Sequence, residues 1–406
     1  MLKKENAGIF QLENGHWGYR FIVKCDGRRK ARKRVRDESG NPFLTKEQAA
    51  AARKDAIMIE KRKLLGGEPT KPVRKRLCEI YEEYCESGRL DKEYSTKKKH
   101  DCLWNNHIKA RFGDRYADDI SSGEINDYLA ELRYVNNYSY GYIESFLKLF
   151  YLIFGQAYSR NYLSSEKYSR LCVYKNGKIK MPVKKSVDIK DIVTYSKQEM
   201  EQMDEYFKGK NVETAYMIGK FTGLRSAECY GLTWDCINFK DGTMRIEKQM
   251  KTEDGLIKLK SLKTVNSKRK IYMHKALRDY LYELSQKIKE YEVTFAAQRA
   301  QNEKMILDAD GSKRSSLELV NTLPNGKIQT EWAIKHHYKP LKELYDIDFR
   351  YHNLRHTYAT NLAMLNIPLH ILKNQMGHSK VSTTYKYYIG LSIDGVDILK
   401  EKLSEI

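Results

Sequence analysis

Residues 352 to 360 read His-Asn-Leu-Arg-His-Thr-Tyr-Ala-Thr, and this stretch carries the most specific signal in the chain. His352 and Arg355 are three residues apart, so on a helix both side chains lie on one face and can reach one ligand. A guanidinium can grip a phosphate with two parallel hydrogen bonds, and an imidazole can donate to a remaining oxygen. His352 and His356 could instead bind zinc, but no glutamate lies between them and no third ligand is obvious. The stretch therefore favours a phosphate site on a helix.

Three segments elsewhere carry groups that can complete such a site. Residues 222 to 228, Thr-Gly-Leu-Arg-Ser-Ala-Glu, place Arg225 between two apolar helical patterns. Residues 376 to 384 read Met-Gly-His-Ser-Lys-Val-Ser-Thr-Thr, and the adjacent pair Tyr387 and Tyr388 follows them. A phenol attacks phosphorus when nearby cations stabilise the phenolate that develops. Each residue alone would be assigned to the core or the surface, so their combination carries the argument.

In this order, the segments resemble the catalytic motifs of the tyrosine recombinase and integrase family, over the last half of the chain. The resemblance implies a mainly α catalytic domain with a small β-sheet. It also implies DNA cleavage through a 3′-phosphotyrosyl intermediate that requires neither a metal nor another cofactor. The catalytic residues that it implies are Arg225, Lys263, His352, Arg355, His378 and one tyrosine of the pair.

The family pattern gives each of these residues a role. Lys263 matches a lysine in a β-hairpin that protonates the departing 5′ oxygen, and nearby arginines would lower its pKa. Glu228 would be a buried second-shell carboxylate that orients Arg225. The nucleophile follows the Gly-His motif by nine or ten residues, and tyrosine occupies both places. The family often has a Tyr-x-His pattern at the nucleophile, and residues 388 to 390 fit this pattern with glycine in place of histidine, which favours Tyr388. The spacing after the Thr-Thr pair instead favours Tyr387. We predict Tyr388, with Tyr387 as the alternative.

The composition favours a nucleic-acid partner. The chain has 406 residues, and 74 Lys+Arg against 53 Asp+Glu give a net charge of +21, which attracts polyanions. The seven cysteines are odd in number and lack paired Cys-x-x-Cys spacing, so we expect reduced thiols. No apolar run approaches the ~18 residues of a membrane span, and the N-terminus lacks a secretion signal. We therefore expect a cytoplasmic, nucleoid-associated bacterial protein with no membrane partner.

Length and patterning predict an α+β, multidomain chain with three domains, at residues 1–66, 72–175 and 190–406. The first is a small β-sheet plus a helix, with an Asp-Gly turn before a returning strand and a capping box from Thr45 to Gln48. The second is all-α, since apolar residues recur at helical spacing, including an aromatic stripe from Ile143 to Tyr158, and a capping box at Ser121 begins one of its helices. In the third, a capping box at Ser196 begins the first helix, and residues 243–250 predict a strand. Breaker residues from 66 to 72, and a basic aperiodic stretch from 174 to 192, predict linkers.

The returning strand of the first domain is strongly cationic. Seven of the nine residues from 28 to 36 are Lys or Arg. Such a strand is either a solvated face or a ribbon that enters a DNA groove and neutralises phosphates. The layout resembles that of phage and conjugative-transposon integrases, which implies an arm-type DNA-binding domain followed by a core-binding domain. The DNA-contacting candidates are Arg28, Arg29, Lys30, Arg32, Lys33, Arg34 and Arg36.

The resemblance implies a site-specific recombinase that integrates and excises a mobile genetic element. It implies double-stranded DNA partners, with core and arm attachment sites, a homotetramer on DNA and an excisionase-like directionality factor. Two alternatives stay open. One is a type IB topoisomerase-like enzyme, which uses similar chemistry, and the other is a non-catalytic, sequence-specific DNA-binding protein. The complete set of site residues favours an active enzyme.

Overall fold

A computed structural model of the chain describes residues 8–25, 28–37, 40–64, 73–174, 177–184, 192–262 and 267–389. The chain divides into two compact units, residues 1–190 and 191–406. The first unit contains a small sheet and a helical bundle, and the second is mainly helical with two small sheets. The predicted α+β class is confirmed. None of the helices in the described ranges combines the length and hydropathy that a bilayer crossing requires.

The first unit begins with a three-stranded antiparallel sheet covered on one face by a helix. Alternation along the middle strand buries Tyr19, Phe21 and Val23 in a small core against Phe43. The helix begins with the predicted capping box, because the Thr45 hydroxyl and the Gln48 side chain each accept the other's backbone N–H at 3.2 Å. The predicted Asp-Gly turn lies outside the described residues. The elements are β1 (Ile9–Gln11), β2 (Trp17–Cys25), β3 (Arg28–Arg34) and α1 (Lys46–Leu64).

Six α-helices form most of the described remainder of the first unit, and the predicted aromatic stripe lies at their centre. Ile143, Phe146, Phe150 and Phe154 are all fully buried, which confirms that this stripe is core. Burying each such side chain stabilises the fold by about 1.5–3 kcal/mol. The helices are α2 (Leu77–Glu83), α3 (Tyr94–Leu103), α4 (Lys109–Phe112), α5 (Ser122–Tyr134), α6 (Tyr140–Ser159) and α7 (Ser165–Cys172).

Part of the second predicted linker belongs to this helical core. Ile179, beyond the predicted domain end at residue 175, is fully buried, and its backbone N–H donates to the carbonyl of Leu171 at 2.9 Å. The Tyr151 hydroxyl donates to the carbonyl of Ile179. Residues 185–191 of this linker, and residues 65–72 around the first one, lie outside the described residues.

Helix α1 also contacts the helical bundle. The Asp55 carboxylate accepts the backbone N–H of Ser165, the first residue of α7, at 3.1 Å. Burial raises the pKa of Asp55 to about 6, although hydrogen bonds from the α7 backbone oppose this rise. The sheet module and the helical bundle, predicted as separate domains, therefore lie in one compact unit.

The second unit carries ten helices within the described residues. They are α8 (Lys197–Phe207), α9 (Glu213–Thr222), α10 (Ser226–Tyr230), α11 (Lys275–Thr294), α12 (Ala296–Asn302), α13 (Glu331–Lys335), α14 (Tyr338–Tyr345), α15 (Tyr351–Met364), α16 (Leu369–Met376) and α17 (Val381–Ile389). Ser196 and Glu199 form the predicted capping box at the start of α8.

Two small sheets lie between helices α10 and α13. One has the order β4-β5-β8, and the other has the order β10-β9-β7-β6 with a parallel pair between β7 and β9. We predicted one strand from Thr243 to Met250, and this was wrong. The strand is interrupted at Glu247 because the two halves of this segment pair with different strands, β5 with β8 and β6 with β7. The strands are β4 (Ile237–Asn238), β5 (Thr243–Ile246), β6 (Lys248–Glu253), β7 (Leu256–Ser261), β8 (Arg269–Tyr272), β9 (Met305–Leu307) and β10 (Lys313–Ser315).

Helices α9 and α15 pack closely and set the position of the motif residues. At Gly219 on α9, a Cβ atom would lie 2.9 Å from side-chain atoms of Tyr351 and Leu354 on α15. Glycine thus permits the close approach of the two helices. Helix α15 carries the motif at residues 352–360, and α9 ends at the segment of residues 222–228. Two motifs that lie far apart in the sequence are therefore adjacent in the fold.

Candidate active site

Two tight bends, each at a glycine, frame the site. Helix α9 ends at Gly223 with φ of 61°, and helix α16 ends at Gly377 with φ of 64°. Glycine adopts this left-handed conformation without steric cost. Neither bend has room for a side chain, since a Cβ atom would lie 2.7 Å from the Tyr358 ring at Gly223 and 2.8 Å from the Arg269 guanidinium at Gly377. Both glycines let backbone and guanidinium groups approach one another.

Arg355 on α15 joins the two bends. Its side chain is buried, with 2 % of the residue exposed. The guanidinium donates to the carbonyl oxygen of Gly223 at 2.7 Å and to that of Met376 at 2.5 Å. Burial, together with the charge of Arg225, lowers the pKa of Arg355 to about 9, so the group remains cationic at neutral pH. Among the described residues, these two carbonyl oxygens are the acceptors recorded for a guanidinium that has five N–H donors.

Glu228 organises a cluster of guanidiniums. It is 3 % exposed, accepts from the Arg225 side chain at 2.8 Å and accepts the Arg225 backbone N–H at 3.1 Å. It also accepts from both terminal nitrogens of Arg269, at 3.0 and 3.3 Å. Burial alone would raise the pKa of Glu228, but Arg269, Arg225 and Arg355 outweigh it and hold that pKa at about 2. The structure therefore brings Glu228 to the predicted place beside Arg225, whose side chain stays 41 % exposed.

Arg269 is a site residue that the sequence analysis missed. Its side chain is 5 % exposed, and besides the Glu228 contacts it donates from Nε to the carbonyl of Gln375 at 3.0 Å. It thereby ties β8 to the segment just before Gly377. A signal was present, because Arg269 lies six residues after Lys263 in the same motif. Lys263 itself lies outside the described residues.

Three histidines lie near these guanidiniums. His378 is 5 % exposed, and its Nδ1 is 2.9 Å from the Thr384 hydroxyl. Burial, together with the charges of Arg355, Arg225 and Arg269, lowers the pKa of His378 to about 3.

The other two histidines are neighbours on α15. The rings of His352 and His356 meet edge to face, with centroids 4.6 Å apart. Burial lowers the pKa of His356 to about 4, aided by the charges of His352 and Arg355. The pKa of His352 is also lowered, by desolvation first and by Arg355 and Arg225 next. All three imidazoles are therefore neutral near pH 7. In the described ranges, His, Cys, Asp and Glu side chains form no group of three that could hold a metal ion.

The two adjacent tyrosines on α17 have different surroundings. Tyr387 is 5 % exposed, its ring stacks on that of His378 with centroids 6.1 Å apart, and its hydroxyl is 2.8 Å from Nδ1 of His356. Burial raises the pKa of Tyr387, and the charges of Arg355 and Arg225 oppose this rise. The hydroxyl of Tyr388 instead donates to the carbonyl of Ile367.

The structure thus brings Tyr387, our alternative, into the cluster and leaves Tyr388, our preferred prediction, outside it. Successive helical residues point about 100° apart, so only one of the two can face α15. His356, considered above only as a zinc ligand, is the hydrogen-bond partner of Tyr387.

The predicted DNA-contacting residues on β3 divide between two faces of the sheet. Lys30, Arg32 and Arg34 lie opposite the buried β2 residues Val23, Phe21 and Tyr19, on the side of α1. Arg32 there forms an ion pair at 3.1 Å with Glu60 of α1. Arg28 begins β3, but its side chain is not described, and exposed Arg36 follows the strand and donates to the carbonyl of Gly40 at 3.1 Å.

The other face of this sheet is open to solvent. Arg29 lies opposite Lys24, and Lys33 lies opposite Arg20, so four cations share this face. Ile22 lies among them and is 54 % exposed. We call this surface, made of Arg20, Ile22, Lys24, Arg29 and Lys33, the outer cationic face. Arg20 and Lys24 belong to it although the sequence analysis did not select them.

Comparisons with known proteins identify a family for most of the second unit. Residues 188–392 match the model of the phage integrase family. A curated relative, a tyrosine recombinase XerC-like protein of Caldanaerobacter subterraneus subsp. tengcongensis, is 27 % identical over 208 residues, which are 49 % of this chain and 50 % of the relative. The match thus spans about half the length of that relative.

Two solved structures share the fold. The Tn1549 transposon integrase in complex with transposon right end DNA has a TM-score of 0.63 at 18 % identity, over 81 % of this chain and 100 % of that chain. A lambda integrase tetramer bound to a Holliday junction has a TM-score of 0.51 at 12 % identity, over 95 % and 96 % of the two chains.

Proposed function

The chain belongs to the phage integrase family, and from this premise we propose that it is a site-specific DNA recombinase that cleaves and rejoins strands through a phosphotyrosyl intermediate. One observation carries the proposal. The Tyr387 phenol is buried against the imidazoles of His356 and His378 beside a cluster of guanidiniums, and such cations favour attack by a phenol on a phosphodiester.

The proposed reaction divides the work among the clustered residues. The Tyr387 oxygen attacks phosphorus, the bond from phosphorus to the 5′ oxygen breaks, and the new 3′-phosphotyrosyl bond retains the energy for rejoining. Arg225, with its exposed side chain, and the guanidinium of Arg355 stabilise the charge of the pentavalent phosphorane. Neutral His352 and His378 donate hydrogen bonds to its oxygens, and Lys263 protonates the departing 5′ oxygen. This chemistry needs no cofactor, because these groups supply both the field and the proton.

We propose Tyr387 as the nucleophile, in place of Tyr388. Two contacts of Tyr387 support this choice: its hydroxyl forms a hydrogen bond with His356, and its ring stacks on that of His378. A nicked suicide duplex that carries the joined ends of the encoding element should trap a covalent adduct in EDTA. Tyr387→Phe should bind this duplex and form no adduct. The matched control, Tyr388→Phe, removes an oxygen that, among the described residues, donates to the Ile367 carbonyl, and this variant should retain most of the cleavage.

The result of adduct mapping separates the hypotheses. A phosphopeptide in which Tyr388 carries the DNA would overturn the choice of nucleophile and leave the recombinase proposal intact. No adduct from any duplex, with normal binding, would instead support the non-catalytic DNA-binding alternative. Relaxation of supercoiled plasmids that lack an attachment site would support the topoisomerase alternative.

We further propose that the protein integrates and excises a mobile element and acts as a homotetramer on double-stranded core and arm sites. The related structures support this, since one relative is a transposon integrase bound to transposon DNA and another is a tetramer on a Holliday junction. The outer cationic face supports arm binding by the first sheet, because four cations on one face can neutralise phosphates along a groove. An excisionase-like directionality factor remains part of the proposal. Its test is whether excision of the element in cells requires a second small protein that the element encodes.

A further inference from the structure

The reaction described above leaves one imidazole of the cluster without a role. His356 follows Arg355 directly on α15, and its Nδ1 lies 2.8 Å from the hydroxyl oxygen of Tyr387 on α17. This oxygen is the atom that attacks phosphorus in the proposed function. His378 contacts the Tyr387 ring by stacking and directs its own Nδ1 to Thr384. Among the described side chains, His356 is thus the group placed to exchange a proton with the attacking oxygen.

We propose that His356 is a further catalytic residue, which accepts the proton of the Tyr387 hydroxyl as its oxygen bonds to phosphorus. This inference rests on the proposed function, with Tyr387 as nucleophile. In the step, the Tyr387 O–H bond breaks and its proton passes to Nδ1 of His356, while the bond to phosphorus forms. The bond from phosphorus to the 5′ oxygen breaks, and that oxygen takes its proton from Lys263. Charge and protons therefore balance with the DNA phosphodiester as the other reactant.

The groups that surround His356 suit a proton acceptor. His352 and Arg355 on its own helix, Tyr387 on α17 and His378 before α17 are the titratable and charged groups that act on it. Because its pKa is lowered, the imidazole is neutral across the physiological range, and in the tautomer that carries its proton on Nε2 its Nδ1 accepts the hydrogen bond of the Tyr387 hydroxyl. A bound phosphodiester would bring a negative charge that opposes the effect of Arg355. Substrate binding would thereby increase the basicity of His356 at the stage when the proton must move.

A purely positioning role makes different predictions from a proton-accepting one. An asparagine amide oxygen can occupy nearly the place of Nδ1 and accept the same hydrogen bond, but it cannot take the proton. If His356 only holds the phenol, His356→Asn should cleave at nearly the wild-type rate. If it accepts the proton, both His356→Asn and His356→Ala should be slowed. General-base catalysis contributes roughly 10²–10⁴-fold, so we expect single-turnover cleavage to fall by about a hundredfold or more.

The decisive measurement is chemical rescue on two substrates. Added imidazole should restore cleavage by His356→Ala, and with a series of substituted imidazoles the restored rate should rise with the basicity of the amine. A duplex with a 5′-bridging sulfur at the scissile phosphate has a leaving group that needs no proton. This substrate should rescue Lys263→Ala and leave His356→Ala slow. Exposed His370 on α16 gives a matched control, since His370→Ala should keep the wild-type rate and show no response to imidazole.

The outcomes separate this inference from the function on which it rests. Wild-type protein that forms no covalent adduct would refute the proposed function, and an adduct on Tyr388 would refute both the choice of nucleophile and the role of His356. A wild-type adduct at Tyr387, together with full cleavage by His356→Asn or with no imidazole response in a His356→Ala protein that binds DNA normally, would refute the role of His356 alone.

Discussion

Replacing Glu228 by glutamine should destabilise the local structure of the active site, and the structure gives the size of the free energy that is lost. The carboxylate is buried, and its pKa of about 2 lies below the ordinary value of 4.5. At about 1.4 kcal/mol for each pKa unit, the network favours the charged form by about 3 kcal/mol. Breaking a buried ion pair by removing one partner costs about 3–5 kcal/mol, because the remaining charge stays buried. The two estimates of the free energy agree. In the variant, the charge that stays buried without its partner is that of Arg269, whose side chain is 5 % exposed.

Hydrogen exchange can measure this loss within the full chain. The reporters are the α10 amides, such as those of Cys229 and Gly231, which donate to the carbonyls of Arg225 and Ala227. A loss of about 3 kcal/mol should speed their exchange roughly a hundredfold if they open with the network. The control is Glu318→Gln, since Glu318 is half exposed and pairs with Arg314 near the surface. Such pairs contribute about 0–1 kcal/mol, so this variant should change exchange by less than about fivefold.

The effect of Glu228→Gln also has a definite pH dependence. The folded state lowers the pKa of Glu228, so its stabilisation is fully present above the unfolded value near 4.5 and is lost as the pH falls through about 2. The difference between wild type and variant should therefore be constant from pH 5 to pH 8. A variant whose α10 amides exchange as slowly as those of Glu318→Gln would refute the claim that Glu228 holds the guanidiniums together.

Two further outcomes follow from the bends and the sheet. Gly377→Ala should bind DNA but cleave at least tenfold more slowly in the suicide-duplex assay. The reason is that the backbone at Gly377 is left-handed and the added Cβ would lie 2.8 Å from the Arg269 guanidinium, so the bend must shift. Cleavage at the wild-type rate would show that the bend tolerates a side chain. Arg29→Gln, on the outer cationic face, should weaken arm-site binding and reduce by about one the slope of the logarithm of the binding constant against the logarithm of the salt concentration. Arg34→Gln, on the α1 side, should change this slope less. Equal slopes in titrations of the two variants would remove the distinction between the faces.

Local signals in the sequence predicted local structure well. The capping boxes at Thr45, Ser121 and Ser196 are present, because each depends on residues three apart. The core stripe of α6 was equally predictable from its helical period. The break in the strand at Glu247 was not, since strand ends there depend on which distant strand pairs with each half.

The active site shows the same division. The resemblance to the family motifs selected Arg225, Arg355, Glu228 and His378, which the structure brings together. It gave no role to Arg269, although this residue follows Lys263 by six positions, because that role arises only when β8 packs against the segment before Gly377. The choice between adjacent tyrosines was equally open, since α17 must dock before one of them faces α15. The role of Lys263, the arm and core sites and the tetramer remain predictions.

The two carbonyl contacts of Arg355 have a consequence for synthesis of the chain. Its partner Gly223 lies 132 residues before it, and its partner Met376 lies 21 residues after it. Contacts of such long range form late in folding, because a long loop must close first. A nascent chain that has left the ribosome only as far as the segment of Arg225 contains Arg225. It still lacks Arg355, whose guanidinium donates to the carbonyl of Gly223, and it lacks Tyr387. Ribosome-bound and truncated chains would therefore be unable to nick DNA, and cleavage would begin only when the last helices have left the ribosome and closed the site.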